Sequence, residues 1–210
     1  MRERKVSTGL FNFIAPVYGL FFTYQRKRYG KTLEAMHDLF TTDSVATILD
    51  VGCGTGALCR AFADLGFRVT GVDPALRMLQ IARNKNQGKP MEFIEADATQ
   101  GLPFADRQFD VVIASYVAHG MKSEQRKKLY HQMSRVAKHH VIIHDYNAKR
   151  SPFTSFIEYL EGGDYFHFIG HAQTEMETCI HDLQRCFAKV EVIQVGKRAN
   201  WYLCTPEVSD

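Results

Sequence analysis

Gly52, Gly54 and Gly56 alternate with other residues directly after the apolar run Ile48-Leu49-Asp50-Val51 and just before the helix-forming stretch Ala57 to Leu65. An apolar run broken by glycine reads as a buried strand, and strand, tight turn and helix together mark the place where an α/β sheet builds a ligand site. Without Cβ atoms the glycines let a ligand approach the backbone and leave amide N–H groups at the helix start, so a nucleotide-like ligand is expected. Two further acids stand at strand ends. Asp73, followed by Pro74, closes the run from Phe67, and Asp97, followed by Ala98, closes the run from Met91. Carboxyl ends of parallel strands share one edge, so the glycine turn, Asp73 and Asp97 should converge on a single crevice, where Asp73 could accept hydrogen bonds from a ribose.

Candidate acids and bases fall on the same edge. His119 follows the strand Phe109 to Ser115, and His144, Asp145 and Tyr146 end the strand that begins at Val141. Either histidine could take a proton from a bound acceptor, while the plainer roles are a packed wall for His119 and a cap on the next segment for Asp145. His167 and His171 near Asp164 have a metal-ligand spacing, but Gly170 argues against a regular helix there, and no metal is expected. Cys53, Cys59, Cys179, Cys186 and Cys204 form no C-x-x-C pair and are odd in number, which suits neither a zinc site nor a disulfide framework and points to a reducing, cytoplasmic setting.

The elements that must position these groups alternate. Helices are expected over Lys31 to Phe40, Ala57 to Leu65, Ala75 to Asn84 and Glu124 to Ala137, the last with Ser123 as N-cap. Between them lie five short apolar strands, and two more, Phe187 to Val195 and Ala199 to Cys204, form a C-terminal hairpin. The implied fold is α/β, a Rossmann-like, doubly wound, mostly parallel seven-stranded sheet with an antiparallel C-terminal strand. The 210 residues suit a single domain: an N-terminal helical lid over 1–44, a cofactor-binding core over 45–146, a helical acceptor-side insertion over 147–185 and a C-terminal hairpin over 186–210. The aromatic stretch Ser7 to Tyr24 should be split by Pro16 and Gly19, and it needs an apolar partner: the core, a lid position or a membrane surface. Tyr159 to His171 should form part of the acceptor pocket's wall.

Composition excludes rather than identifies. An apolar fraction of 45% and a charged fraction of 23% are those of a soluble globular chain. A net charge of +3 is too small to argue for nucleic acid, and the runs Arg26-Lys27-Arg28 and Arg126-Lys127-Lys128 read as solvated helix faces. No signal peptide and no stable membrane insertion are expected of the N-terminal segment, and the oligomeric state is left open.

Taken in order, ILDVGCGTG, GVDP, EADA and FDVVIASYVAHG resemble the motif series of class I S-adenosylmethionine-dependent methyltransferases, over about residues 45 to 146. The resemblance implies that S-adenosylmethionine is the cofactor, with Gly52, Cys53, Gly54, Thr55 and Gly56 along its methionine moiety and Asp50 beneath it. By the same resemblance Asp73 and Pro74 would meet the ribose, Asp97 and Ala98 the adenine, and Ser115 and Tyr116 the cleft near the sulfonium. Phe13 to Tyr18 is loosely similar to the segment before the cofactor turn in ubiquinone/menaquinone-type small-molecule methyltransferases, where a tyrosine, here Tyr18, approaches the cofactor. Gly19 replaces the aspartate usual there, so quinone specificity does not transfer. Ser115-Tyr116-Val117-Ala118 also lacks the Asn/Asp-Pro-Pro-aromatic motif of enzymes that methylate planar amines. The expected activity is methyl transfer to a small or lipid-like acceptor, with His144, Asp145 and His119 as candidate catalytic residues. Two rivals remain. One is a nicotinamide-dependent oxidoreductase, although G-x-G-x-G is shorter than the dinucleotide fingerprint; the other is a non-catalytic cofactor-binding protein of the same fold.

Overall fold

A computed structural model describes residues 8–40, 45–147, 179–197 and 199–207. Most of the insertion expected over 147–185, including Tyr159 to His171 with Asp164, His167 and His171, lies outside them.

The described strands are β1 (Thr47–Val51), β2 (Arg68–Asp73), β3 (Met91–Glu95), β4 (Phe109–Ser115), β5 (Ala137–Tyr146), β6 (Lys189–Gln194) and β7 (Ala199–Thr205). They form one seven-stranded sheet in the order β3-β2-β1-β4-β5-β7-β6. The first five strands in chain order pair in parallel, and β7 runs antiparallel to both β5 and β6, as expected of the fold. Strand order reverses between β1 and β4, and that reversal opens a crevice at the carboxyl edge.

Among the described residues, four α-helices flank the sheet: α1 (Thr8–Ala35), α2 (Ala57–Asp64), α3 (Leu76–Lys85) and α4 (Ser123–Val136), with a further helical run over 179–186. Both sheet faces are covered. On one, Ile48, Val111, Ile113, Ile142 and Trp201 pack with Leu58, Phe62 and Leu33; on the other, Leu49, Val112, Val141 and Ile143 pack with Leu129, Met133 and Leu183. Strands buried on both faces explain the continuous apolar runs, and each fully buried large side chain contributes about 1.5–3 kcal/mol.

Asp110 holds the entrance edge. Its Oδ2 accepts hydrogen bonds from the amides of Ala46 and Thr47, both at 2.9 Å, and Lys138 Nζ lies 3.0 Å from Oδ1. Burial pushes its acidity the other way, but these donors hold the carboxyl well below the usual carboxylate range. The start of β1 is thereby fixed to β4 and β5, which sets the register that carries the opposite ends to the site.

Two local expectations are corrected. Pro16 and Gly19 do not split the N-terminal segment, which is one 28-residue helix with Pro16 inside it, and the separate helix expected from Lys31 merges into its last turn. The physical reason is tertiary: Ile14, Ala15, Phe22 and Leu33 are buried against the domain, and Gly19 lets α1 approach α3, since a Cβ there would lie 3.3 Å from Ile81. Packing outweighs the local breaker signals. Ser123 does not cap α4 either; it is the first helical residue, and its Oγ donates to Asp182 Oδ2 at 2.8 Å. The basic run beside it is likewise not a solvated face throughout, because Arg126 is buried, with its guanidinium 3.4 Å from Asp182.

Candidate functional site

The turn after β1 is built by left-handed backbone at three alternate positions, φ being +74° at Gly52, +51° at Gly54 and +76° at Gly56. A Cβ at Gly52 would stand 2.5 Å from Val117 Cγ2, whereas one at Gly54 would meet nothing within 4 Å. The turn is thus closed on its inner side and open at Gly54, where a ligand can lie against the chain.

The fold itself uses four of the amides in the turn. The amides of Gly52 and Cys53 both donate to Val72 O, at 2.8 and 3.0 Å, that of Gly54 to Asp73 Oδ2 at 2.9 Å, and that of Gly56 to Cys53 O at 2.9 Å. These N–H groups are consumed inside the fold and are not left for an anion. The donors left at this turn are the first amides of α2, whose N-cap is Gly56 and which no side chain caps.

Asp73 lies at the end of β2, buried, with Oδ2 taking the Gly54 amide and Oδ1 the Ala75 amide at 2.8 Å. Each carboxylate oxygen has a second lone-pair direction left for a ribose hydroxyl. Pro74 continues the turn into α3, and Tyr18 of α1 packs against the cluster of Ala75 and Met78 beside it. Asp97 is exposed and makes an Asx turn, its Oδ1 accepting from Thr99 N at 2.9 Å and Thr99 Oγ1 at 2.7 Å, while Ala98 beside it is buried.

Asp50 is buried in β1, two residues before Gly52. Cys59 Sγ donates to its Oδ2 at 3.2 Å, and Gly71 leaves the room, since a Cβ there would come 2.9 Å from Cys53 Sγ and 3.0 Å from Cys59 Sγ. Burial above all, with the negative charge of Asp73 adding to it, pushes the Asp50 carboxyl up to about 7. The same desolvation lifts the Cys53 thiol to about 11.

Ser115 and Tyr116 end β4 at the crevice, where Tyr116 has φ +57° and its amide donates to His144 O at 2.8 Å. That turn brings the Tyr116 ring to 4.7 Å from the His144 ring and 4.8 Å from that of Tyr146. Ser115 Oγ lies 3.0 Å from Tyr29 OH and 3.1 Å from His144 Nδ1. Tyr29 was not singled out in the sequence; nothing in the pattern of α1 marks it, and only the fold brings it across to β4.

His144 and Asp145, neighbours in sequence, point to opposite faces of the sheet. His144 lies among Tyr29, Tyr116 and Trp201, and burial pushes its imidazole down to about 4. Asp145 turns instead to His119: its Oδ1 is 2.9 Å from His119 Nδ1, and its Oδ2 accepts the His119 amide at 3.0 Å. Burial opposes ionisation of Asp145, but the charge and hydrogen bonds of His119 outweigh it and hold the carboxyl below its ordinary value. The tertiary structure therefore pairs two candidates that the sequence left separate, and it assigns His144 to a hydrogen-bonded chain with Ser115 and Tyr29.

Asp50 and His144 have opposite consequences for stability. Asp50 is raised from 3.8 to about 7, so the folded protein holds its proton longer, and stability present below pH 4 is lost as pH rises to about 7. His144 is lowered from 6.5 to about 4, so stability present above pH 6.5 is lost as pH falls towards 4. The two slopes oppose each other. Denaturation between pH 4 and 7 should show that Asp50→Asn gains on the parent as pH rises, by a limit of about 4 kcal/mol at 1.36 kcal/mol per unit. His144→Gln should show the reverse trend, and parallel profiles for parent and variants would contradict both assignments.

Comparison with known proteins agrees with this geometry. Residues 48–140 match the family described as Methyltransferase domain. A demethylmenaquinone methyltransferase of Tropheryma whipplei is 43% identical over 79 residues, which is 37% of this chain and 32% of that protein. The matched stretch thus spans about a third of such relatives. Among solved structures, a protein of Methanococcus maripaludis aligns over 100% of this chain and 98% of its own with TM-score 0.71 at 17% identity. A SAM-dependent methyltransferase from Aquifex aeolicus aligns over 83% and 89% with TM-score 0.60 at 19% identity. At these identities the structural matches establish the fold.

Proposed function

We propose that the chain is a class I S-adenosylmethionine-dependent methyltransferase, a reading supported by the methyltransferase-domain match and the shared fold, and that it methylates a small or lipid-like acceptor that must lose a proton to react. The observation that carries this reading is the His119–Asp145 pair, after β4 and in β5, at the carboxyl edge of the sheet whose β1 and β2 present Gly52–Gly56 and Asp73.

The residues of the crevice fit S-adenosylmethionine: an open backbone at Gly54 and an acid with spare lone pairs at Asp73. Gly52, Cys53, Gly54, Thr55 and Gly56 would hold its methionine part above Asp50, Asp73 and Pro74 its ribose, Asp97 and Ala98 its adenine, with Ser115, Tyr116 and Tyr18 along the cleft. Bound there, the cofactor supplies an electrophilic methyl group that is displaced in line. The chain's own task is to orient the acceptor and manage its proton.

Asp145 fixes the His119 ring through Nδ1, which directs basicity to Nε2 and stabilises the imidazolium formed when a proton is taken. A base so placed suits a hydroxyl, enol or quinol rather than an acceptor that is already a reactive anion. The ring of Tyr146 beside His119, with centroids 4.9 Å apart, and the ring of Tyr116 packed on Tyr146 in turn, favour a planar acceptor. His144 is a positioning residue in this scheme: neutral and bonded to Ser115, it holds the wall on which Tyr116 rests. The demethylmenaquinone methyltransferases among the relatives support a quinone-type ring, which carries hydroxyls in its reduced form, as the acceptor class.

Incubation of the full chain with methyl-labelled S-adenosylmethionine and a panel of reduced demethylnaphthoquinones, catechols and enols tests the proposal. Label should appear in at least one hydroxylated acceptor, with equimolar release of S-adenosylhomocysteine. Cofactor binding without transfer to any member would overturn the acceptor class and favour the non-catalytic reading.

A further inference from the structure

The outer face of α1 is apolar where a helix packed on a domain is ordinarily polar. Phe13 is 77% exposed and Leu20 82%, and Val17, Phe21 and Tyr24 are exposed with them. At 100° per residue these five side chains fall within an arc of about 100°, opposite the face that buries Ala15, Phe22 and Leu33, with buried Ile14 at its margin. The same arc continues towards the C-terminus as Lys27, Arg28 and Lys31, all exposed. Arg26, by contrast, turns inward to Asp64 at 2.7 Å. The helix carries no acidic residue before Glu34.

We propose that this face is a docking surface for an anionic lipid bilayer. An exposed apolar stripe with cations alongside it buries its large side chains at the level of the headgroups and acyl ends while the cations meet lipid phosphates. Tyr24 stands where the apolar part gives way to the basic part, a position that suits an aromatic ring with a polar tip. No described helix is long and apolar enough to cross a membrane, and the contact proposed is one of a helix lying in the interface.

Charge decides between lipid and a second copy of the chain. Two copies of α1 paired in parallel would set Lys27 and Lys31 against their own counterparts. Paired antiparallel about Leu20, they would place Lys27 opposite Phe13, and neither arrangement supplies an acid. An anionic bilayer satisfies both halves of the stripe at once. The inner face of the same helix carries Tyr29, 3.0 Å from Ser115, so the docked helix also forms a wall of the site. The proposal stands on the surface of α1 alone and does not depend on methyl transfer.

Co-sedimentation of the full chain with phosphatidylcholine vesicles, with and without about 30% phosphatidylglycerol, is the test. Binding to the anionic vesicles should exceed binding to the neutral ones by at least about tenfold and should fall as salt is raised to about 0.5 M. Leu20→Glu should lower it by at least about tenfold, and so should Lys27→Gln with Lys31→Gln, with far-ultraviolet circular dichroism and S-adenosylhomocysteine binding unchanged. No preference for anionic vesicles, or binding that survives both sets of substitutions, would overturn the proposal. A dimer in sedimentation velocity that Leu20→Glu dissociates, with no vesicle binding by the parent, would overturn it in favour of a second copy.

Discussion

Asp73→Ala should weaken binding of S-adenosylhomocysteine by about a hundredfold or more, measured by calorimetry on the folded variant. Two hydrogen bonds from ribose hydroxyls to an ionised acceptor, at about 1.5–3 kcal/mol each, account for a loss of that size. The same carboxylate holds the amides of Gly54 and Ala75, so the alanine variant also loosens the glycine turn. Asp73→Asn separates these effects. One amide oxygen can still accept, but the side-chain NH2 group faces a backbone donor, and affinity should fall to an intermediate value. Unchanged affinity in both variants would remove Asp73 from the cofactor site.

His119→Ala should lower kcat by about 10²–10⁴-fold, the range for loss of a positioned general base, while S-adenosylhomocysteine affinity stays within about twofold. Asp145→Asn should share most of that loss, because it removes the charge that stabilises the imidazolium and the acceptor that fixes the ring. The pH–rate profile distinguishes a base from a wall residue: the acid limb of the parent should be absent in His119→Ala. A kcat unchanged in both variants, with the acid limb retained, would leave the proton to solvent and return His119 to the packing role.

The core of the fold was legible because its residues leave little choice. Runs such as Phe109-Asp110-Val111-Val112-Ile113-Ala114-Ser115 are too apolar for an exposed element and too short for a helix, and their alternation with helices implies a parallel sheet whose carboxyl ends meet. What stayed hidden is what depends on contact between distant residues. Pro16 and Gly19 are breakers by local rules, yet α1 runs through them because its inner face is buried on the domain and Gly19 is where it meets α3. Composition shows α1 to be aromatic but does not show that both of its faces are apolar, since only the fold decides which face is covered.

The candidate site divides in the same way. The glycine turn, Asp73 and Asp97 are found by position at strand ends. The pairing of His119 with Asp145 across 26 residues, and the reach of Tyr29 to Ser115 across 86, have no local signature. Sequence adjacency points instead to His144 with Asp145, which the two-residue period of a strand sends to opposite faces. The loop amides are a further case: glycine spacing does not show that those of Gly52 and Cys53 donate to Val72 O and that of Gly54 to Asp73.

A crystal structure of the chain with S-adenosylhomocysteine tests the account most directly. It should place the ribose hydroxyl oxygens about 2.6–3.2 Å from the Asp73 carboxylate, the methionine part along Gly52 to Gly56, the adenine beside Asp97 and Ala98, and the sulfur facing Tyr116. A ligand seated away from the carboxyl edge of β1, β2 and β4, or a ribose out of reach of Asp73, would contradict it.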